Sequence, residues 1–196
     1  MNQEILFDSY LERLKLLAQT ALRSNFSLFW KRVESLREHK EFYFVEIDDD
    51  GDKEYYLNPY VCPSYKEGCL WVGERRYFSF EYYFLHQAEE VFDRLLMIDW
   101  VGEEEEGEFA HFVQKSLQHY GIDDFDIPFW EQESKRGDSI IYQFEAFEKQ
   151  LKSIGLYLIF INIFSDEYYP MVVNQTEYEK LNGLKIGCFE VVDYVP

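Results

Sequence analysis

The strongest limit on the architecture comes from a nearly continuous apolar run near the C-terminal end of the chain. Residues 156–164 read Leu-Tyr-Leu-Ile-Phe-Ile-Asn-Ile-Phe, and most of them are β-branched or aromatic. Such a run is typical of a strand that is covered on both faces. It is far shorter than the roughly 20 residues that cross a bilayer. We therefore predict a central, buried strand and no membrane-spanning segment.

Apolar periodicity elsewhere predicts several helices. Their apolar faces span residues 6–22, 26–36, 84–96, 109–120 and 140–154. Breaks between or after these helices are predicted at Ser24-Asn25, near His39-Lys40, at Trp100-Val101-Gly102, at Gly121 and at Gly155. Alternating residues on either side of Asp50-Gly51 predict a β-hairpin from residues 41–47 and 55–57. The elements expected after the central strand are a turn at 165–170, a strand at 171–173, a short helix capped by Asn174 or Thr176, and a final strand at 186–194.

These elements together predict an α+β fold. We expect N-terminal helices, a β-hairpin region, central helices and C-terminal strands, with the hairpin and the C-terminal strands in the same mixed sheet. A length of 196 residues fits a single α+β domain over residues 1–196, or one domain with a helical subdomain at residues 1–40.

The charge is strongly negative and unevenly distributed. The chain has 38 acidic and 19 basic residues, a net charge of -19. Three windows, residues 41–54, 89–108 and 123–138, carry -6, -8 and -4, whereas residues 1–40 carry +2. Nucleic acids and anionic membranes are bound by basic surfaces, so this charge argues against both as direct partners. A basic protein is the complementary partner.

The most obvious candidate for a metal site is the acidic turn Asp48-Asp49-Asp50-Gly51-Asp52. A calcium loop of the EF-hand type needs a bidentate Glu at its twelfth position, and here that position is Leu57. The turn also lies between predicted strands rather than between helices. A solvated hairpin turn is therefore favoured, with weak divalent binding as the alternative.

The sequence contains no recognisable catalytic or cofactor-binding motif. Phosphate-binding glycine patterns and the Gly-x-Ser-x-Gly nucleophile turn are absent from it. Cys62, Cys69 and Cys188 are spaced neither as a zinc site nor as a disulfide framework. We assign no catalytic residue, no metal ligand and no cofactor. The odd number of cysteines and the charged first 22 residues predict a cytoplasmic location.

Two segments resemble an uncharacterised bacterial family of unknown function. One is Asp99-Trp100 followed by an acidic helix start, and the other is Asp166-Glu-Tyr-Tyr-Pro-Met-Val-Val173 with the helix after it. The resemblance covers roughly residues 84–194 and leaves the N-terminal helices outside. It implies no functional residue, since the family has no established activity.

The acidic windows favour a non-enzymatic interaction protein that binds a basic protein partner, like an immunity protein or a DNA mimic. Aromatic residues between the acids add anchors of the kind that dominate interface energies. The predicted partner-binding residues are Asp48, Asp49, Asp50, Asp52, Trp100, Glu103, Glu104, Glu105, Glu106 and Trp130. Two alternatives are a carboxylate-dependent hydrolase with a cleft between helices and sheet, and a housekeeping domain whose charge only maintains solubility.

Overall fold

The structure is a computed structural model, and it describes residues 3–38, 43–47, 53–57, 80–99, 107–126, 138–187 and 189–193. Two compact units divide the chain. The larger comprises Met1–Ala21 and Arg94–Pro196, and the smaller comprises Leu22–Asp93. Helices and strands both contribute to the fold, which confirms the α+β class. The single domain over residues 1–196 stays a prediction.

Two helices come first, α1 (Gln3–Leu22) and α2 (Phe26–Glu38). A short 3-10 segment, Arg23–Asn25, separates them, and its first residue has a φ of 53°. A side chain in this left-handed region is uncommon and interrupts a regular helix. The two helices predicted from apolar spacing are thus confirmed, together with the break between them.

The smaller unit also contains the predicted hairpin. Strands β1 (Tyr43–Ile47) and β2 (Lys53–Leu57) pair antiparallel. Helix α3 (Phe80–His86) follows and continues into one π-helical turn, Gln87–Val91. The packing of this unit centres on Phe29 of α2, whose ring lies 5.8 Å from that of Tyr83 and 5.9 Å from that of Phe84, between centroids.

The helix with an apolar face over residues 84–96 is confirmed, but its predicted continuation through Leu96 to a break at Trp100 is wrong. Regular helix begins earlier, at Phe80, and the π-helical turn ends at Val91. Asp93 then has a φ of 50°, a left-handed conformation that ends a helix. Apolar residues continue beyond it at helical spacing, which is why periodicity alone extended the helix too far.

A five-stranded sheet forms the centre of the larger unit. Its strands are β3 (Ile98–Asp99), β4 (Leu156–Asn162), β5 (Glu167–Asn174), β6 (Lys185–Ile186) and β7 (Phe189–Val192), in the spatial order β3-β5-β4-β7-β6. β4 pairs with β5 along its whole length and with β7 at its end. All residues of β4 from Leu156 to Ile161 except Tyr157 are buried. The predicted central strand is confirmed.

The sheet differs from the prediction in three respects. Among the described residues, the hairpin β1–β2 forms a sheet of its own instead of joining the C-terminal strands. All pairs of described strands are antiparallel, so the sheet is not mixed. The predicted final strand is two strands, β6 and β7. Short connections join β4 to β5 and β6 to β7, and these two pairs must be antiparallel, because parallel strands need a crossover of a dozen or more residues.

Two helices cover one face of the sheet in the larger unit. They are α4 (Glu108–Gln118) and α5 (Asp138–Ser153). The ring of Phe109 lies 5.0 Å from those of both Phe144 and Phe147, edge to face, and Phe144 lies 4.9 Å from Phe160 of β4. Gly155, with a φ of 77°, follows α5, as the sequence predicted.

The helix after β5 is fixed by a capping box, which makes Asn174 rather than Thr176 the N-cap. In α6 (Gln175–Leu181), the backbone N–H of Glu177 donates to Asn174 Oδ1, and the N–H of Asn174 donates to Glu177 Oε2, both at 3.0 Å. The Tyr120 hydroxyl donates to the same Glu177 oxygen at 2.7 Å. No helix in the described part of the chain is long and apolar enough to cross a membrane.

Removing the ring of Phe147 should destabilise the protein far more than removing an exposed ring from the same helix. Phe147 is fully buried, whereas Tyr142 of α5 is 60% exposed. We expect Phe147→Ala to lower the free energy of unfolding by about 3–5 kcal/mol. Tyr142→Ala should change it by less than about 0.5 kcal/mol, measured by urea denaturation. Equal losses in both variants would contradict the packing described above.

Candidate functional site

The predicted partner-binding residues lie outside the described part of the chain. This applies to Asp48, Asp49, Asp50, Asp52, Trp100, Glu103, Glu104, Glu105, Glu106 and Trp130. The structure does describe residues beside them in the acidic windows. Asp123, Asp124 and Asp126 follow α4 and are exposed, and Asp99 ends β3 immediately before Trp100.

Three carboxylates gather at one border of the larger unit's sheet, and we call them the acidic edge: Asp99, Asp166 and Glu167. Asp99 lies on β3, one of the two edge strands of the described sheet, directly opposite Glu167 of β5. Asp166 is exposed in the turn that precedes β5. Glu167 also accepts a hydrogen bond from the Tyr169 hydroxyl at 3.4 Å. The three carboxylates together concentrate negative charge at this border of the sheet.

The hydroxyl of Tyr168 has a pKa that depends on the carboxylates of the acidic edge. It lies opposite Ile98 in the strand pairing and packs against the core under α4 and α5. Burial raises the pKa of its hydroxyl above the ordinary 10.0, and the negative charges of Asp166 and Asp99 raise it further. Both effects disfavour a phenolate, one by desolvation and the other by repulsion.

A groove lies between α5 and the sheet, and we call it the α5 groove. It has a volume of about 290 Å³, which includes open solvent at its mouth. The described residues that line it are Ile141, Phe144, Glu145, Glu148, Leu158, Phe160 and Asp193. The four from α5 follow the i, i+3, i+4, i+7 spacing of one helix face. The groove thus has an apolar floor and carboxylates at its sides.

The three carboxylates of the α5 groove have different surroundings. Glu148 forms an ion pair with Lys152 at 2.7 Å. Asp193 accepts a hydrogen bond from the Tyr178 hydroxyl at 2.7 Å, and this bond, followed by burial, raises the pKa of Tyr178. Glu145 is exposed and makes neither a hydrogen bond nor an ion pair with any described residue. It is the carboxylate that remains available to a cation.

Phe144 connects the α5 groove with Tyr168. Its ring, on the groove floor, lies 5.7 Å from that of Tyr168 in an edge-to-face contact. Tyr168 is the residue whose pKa responds to Asp166 and Asp99. The groove therefore lies on the same sheet face as Tyr168, whereas Asp99 and Glu167, one residue along each strand, project from the other face.

The smaller unit holds a second polar cluster, at its π-helical turn. π-helical turns occur often at functional sites. Here a guanidinium N–H of Arg32 donates to the side-chain oxygen of Gln87, which is fully buried. The same guanidinium lies 5.7 Å from the centroid of the Phe92 ring. These contacts give the turn a structural role, because they hold it against α2.

The described residues contain no group of three or more His, Cys, Asp or Glu side chains that could hold a metal ion. The hydrolase alternative placed a cleft between helices and sheet, but no sequence pattern identified the residues that line the α5 groove. The spacing of Ile141, Phe144, Glu145 and Glu148 could have indicated an acidic border on an apolar helix face. Asp193 could not have been assigned to it from spacing, since tertiary packing brings it there.

The pKa of Tyr168 gives a direct test of the acidic edge. Asp166→Asn should lower that pKa towards 10.0, because one of its electrostatic causes is removed. Since the folded-state value is raised, Tyr168 contributes stability below pH 10 that is lost as the pH rises through its pKa. We would follow the ring carbon that carries the hydroxyl by NMR during an alkaline titration.

The matched control is Asp124→Asn, which removes the same charge from an exposed position after α4. It should leave the pKa of Tyr168 almost unchanged. The same shift in both variants would mean that net charge, and not the acidic edge, sets this pKa.

One protein family matches the chain. It is described as a domain of unknown function, DUF6630, and it matches residues 32–188. The match confirms the resemblance to an uncharacterised family and extends it towards the N-terminus, since it begins within α2 instead of near residue 84. No significant match was found among curated proteins or among solved structures. The chain belongs to the DUF6630 family of domains of unknown function.

Proposed function

We propose that this chain is a non-enzymatic interaction protein whose acidic surface binds a basic protein partner. The acidic edge is the observation that carries the proposal. Asp99 and Glu167 lie opposite each other, with Asp166 beside them, so three negative charges are concentrated at one border of the sheet. A cationic partner would be attracted to this border and would pair with its carboxylates.

The distribution of charge along the chain supports the same proposal. The three acidic windows account for -18 of the net -19. Glu103, Glu104, Glu105 and Glu106 follow Asp99 within seven residues, so the acidic edge continues in sequence into the most acidic run. A concentrated negative field accelerates the encounter with a basic protein and discriminates against acidic ones. Immunity proteins that block toxin nucleases and mimics of the DNA surface are the classes that fit this charge, in a cytoplasmic setting.

The carboxylate-dependent hydrolase is the second candidate, and the α5 groove is the observation that favours it. Glu145, Glu148 and Asp193 line one apolar cleft, as paired carboxylate chemistry would require. Two of them, however, are engaged by Lys152 and Tyr178 in contacts that hold the side chains in place. Glu145 alone does not supply an acid and a base. The interaction protein is therefore the better supported of the two.

Neutralising the acidic edge should weaken the binding of the basic partner. The variant is Asp99→Asn, Asp166→Asn and Glu167→Gln together, and the partner is a protein captured from the native host and then purified. Exposed ion pairs contribute about 0.2–1 kcal/mol each, so the loss of three should weaken binding by roughly tenfold. Raising the salt concentration from about 50 to 500 mM should weaken the binding of the partner to the wild-type protein similarly, because salt screens exposed charges. Titration calorimetry measures both effects.

The matched control neutralises three exposed acids outside the acidic windows: Glu12→Gln, Glu34→Gln and Glu179→Gln. Both triple variants change the net charge equally, so the difference between them isolates position. An affinity that hardly responds to salt would refute the electrostatic proposal. Equal weakening of binding in the two variants would show that net charge, and not the position of the charges, determines the affinity. Unchanged binding in both variants would favour a housekeeping domain.

A further inference from the structure

The size of the α5 groove limits what it can hold. Its volume of about 290 Å³ includes open solvent, and the floor residues Phe144, Leu158 and Phe160 are each at most 5% exposed. The groove is therefore shallow. It can receive one side chain laid along it but cannot enclose a cofactor. The groove is also open, so a side chain could enter it from a protein docked on the surface.

The floor of the groove is suited to methylene groups and to a flat cation. Ile141 and Leu158 are aliphatic, and the rings of Phe144 and Phe160 lie 4.9 Å apart at an angle of 52°. Methylene stems of Lys and Arg pack on such surfaces while the charged end stays outside. A guanidinium in addition stacks on aromatic rings.

The negative charge of the groove favours a cationic ligand. Its described lining has three carboxylates and no basic residue, and Lys152 pairs with only one of them. Glu145 is left without a partner among the described residues and stands one residue from Phe144. A planar guanidinium can stack on a ring with its face while two of its N–H groups bind one carboxylate. An ammonium group has neither the flat face nor the fixed pair of donors.

We infer that the α5 groove receives an arginine side chain of the basic partner, with its methylenes over Phe144 and Phe160 and its guanidinium at Glu145. The inference rests on the proposed function and names the side chain that the partner would present. Phe144 and Tyr168 are in contact on the sheet face that α5 covers, so the partner would reach the groove from the side of α5. Arginines at the centre of an interface often contribute much of its binding energy.

The test uses a defined probe, the peptide acetyl-Gly-Arg-Gly-amide, titrated into the full chain labelled with ¹⁵N. We expect saturable shifts of amide signals in residues 141–148 and 192–193, with a dissociation constant on the order of millimolar for one side chain. The same peptide with citrulline, which keeps the shape and loses the charge, should bind at least about tenfold more weakly. The lysine peptide should fall between them.

Glu145→Gln is the diagnostic variant, since it changes one exposed side chain on the surface of α5. It should weaken the arginine peptide by roughly three- to tenfold, the value of one exposed charged contact. Glu12→Gln on α1 removes the same charge from outside the groove and should change nothing. Spectra that change only near the substituted residue would show that both variants are folded.

Three results would overturn the inference: no shifts at a peptide concentration of about 20 mM, shifts scattered outside the groove, or equal binding of the arginine and citrulline peptides. The proposed function is tested separately by neutralising the acidic edge. If that variant binds the partner more weakly but the arginine peptide does not bind in the groove, the inference alone fails. If the peptide fills the groove while neutralising the acidic edge has no effect on the partner, the proposed function fails.

Discussion

The pairing of β4 with neighbours on both of its sides supports the rest of the larger unit. β5 lies along its full length, β7 pairs with its last residues, and buried side chains project from both of its faces. Phe160 lines the α5 groove, and β5 carries Glu167 and Tyr168 at its beginning. The acidic edge and the groove are therefore held by the same strand pairing, and any shift in its register would move both.

The buried sheet must also outweigh the repulsion that the charge creates. Fully buried rings such as those of Phe109 and Phe147 supply apolar burial, which stabilises by about 25 cal/mol per Å² removed from water.

Asp99 lies on β3, an edge strand of the described sheet. Charged residues on an edge strand discourage pairing with another chain. The acidic edge can therefore keep the sheet from self-association while it remains available to a basic partner.

Sequence patterns predicted what depends on local periodicity and turn chemistry. The buried strand, the capping of α6 at Asn174 and the end of α5 before Gly155 all follow from such signals. Features set by long-range packing were wrong or missed. The antiparallel sheet depends on which strands meet, and the α5 groove brings together Glu145 and Asp193 from distant parts of the chain. The early end of the helix at Asp93 depends on a left-handed residue that apolar spacing does not reveal.

The central claim is that the acidic side of the larger unit is where a basic partner binds. Hydrogen exchange of the chain, free and in complex with its captured partner, measures this most directly. Binding of a basic partner at the acidic edge and in the α5 groove should slow exchange in peptides that cover residues 99–107, 141–148 and 163–168, and leave exchange in α1 unchanged. Protection confined to residues 1–40, where the net charge is +2, would contradict it.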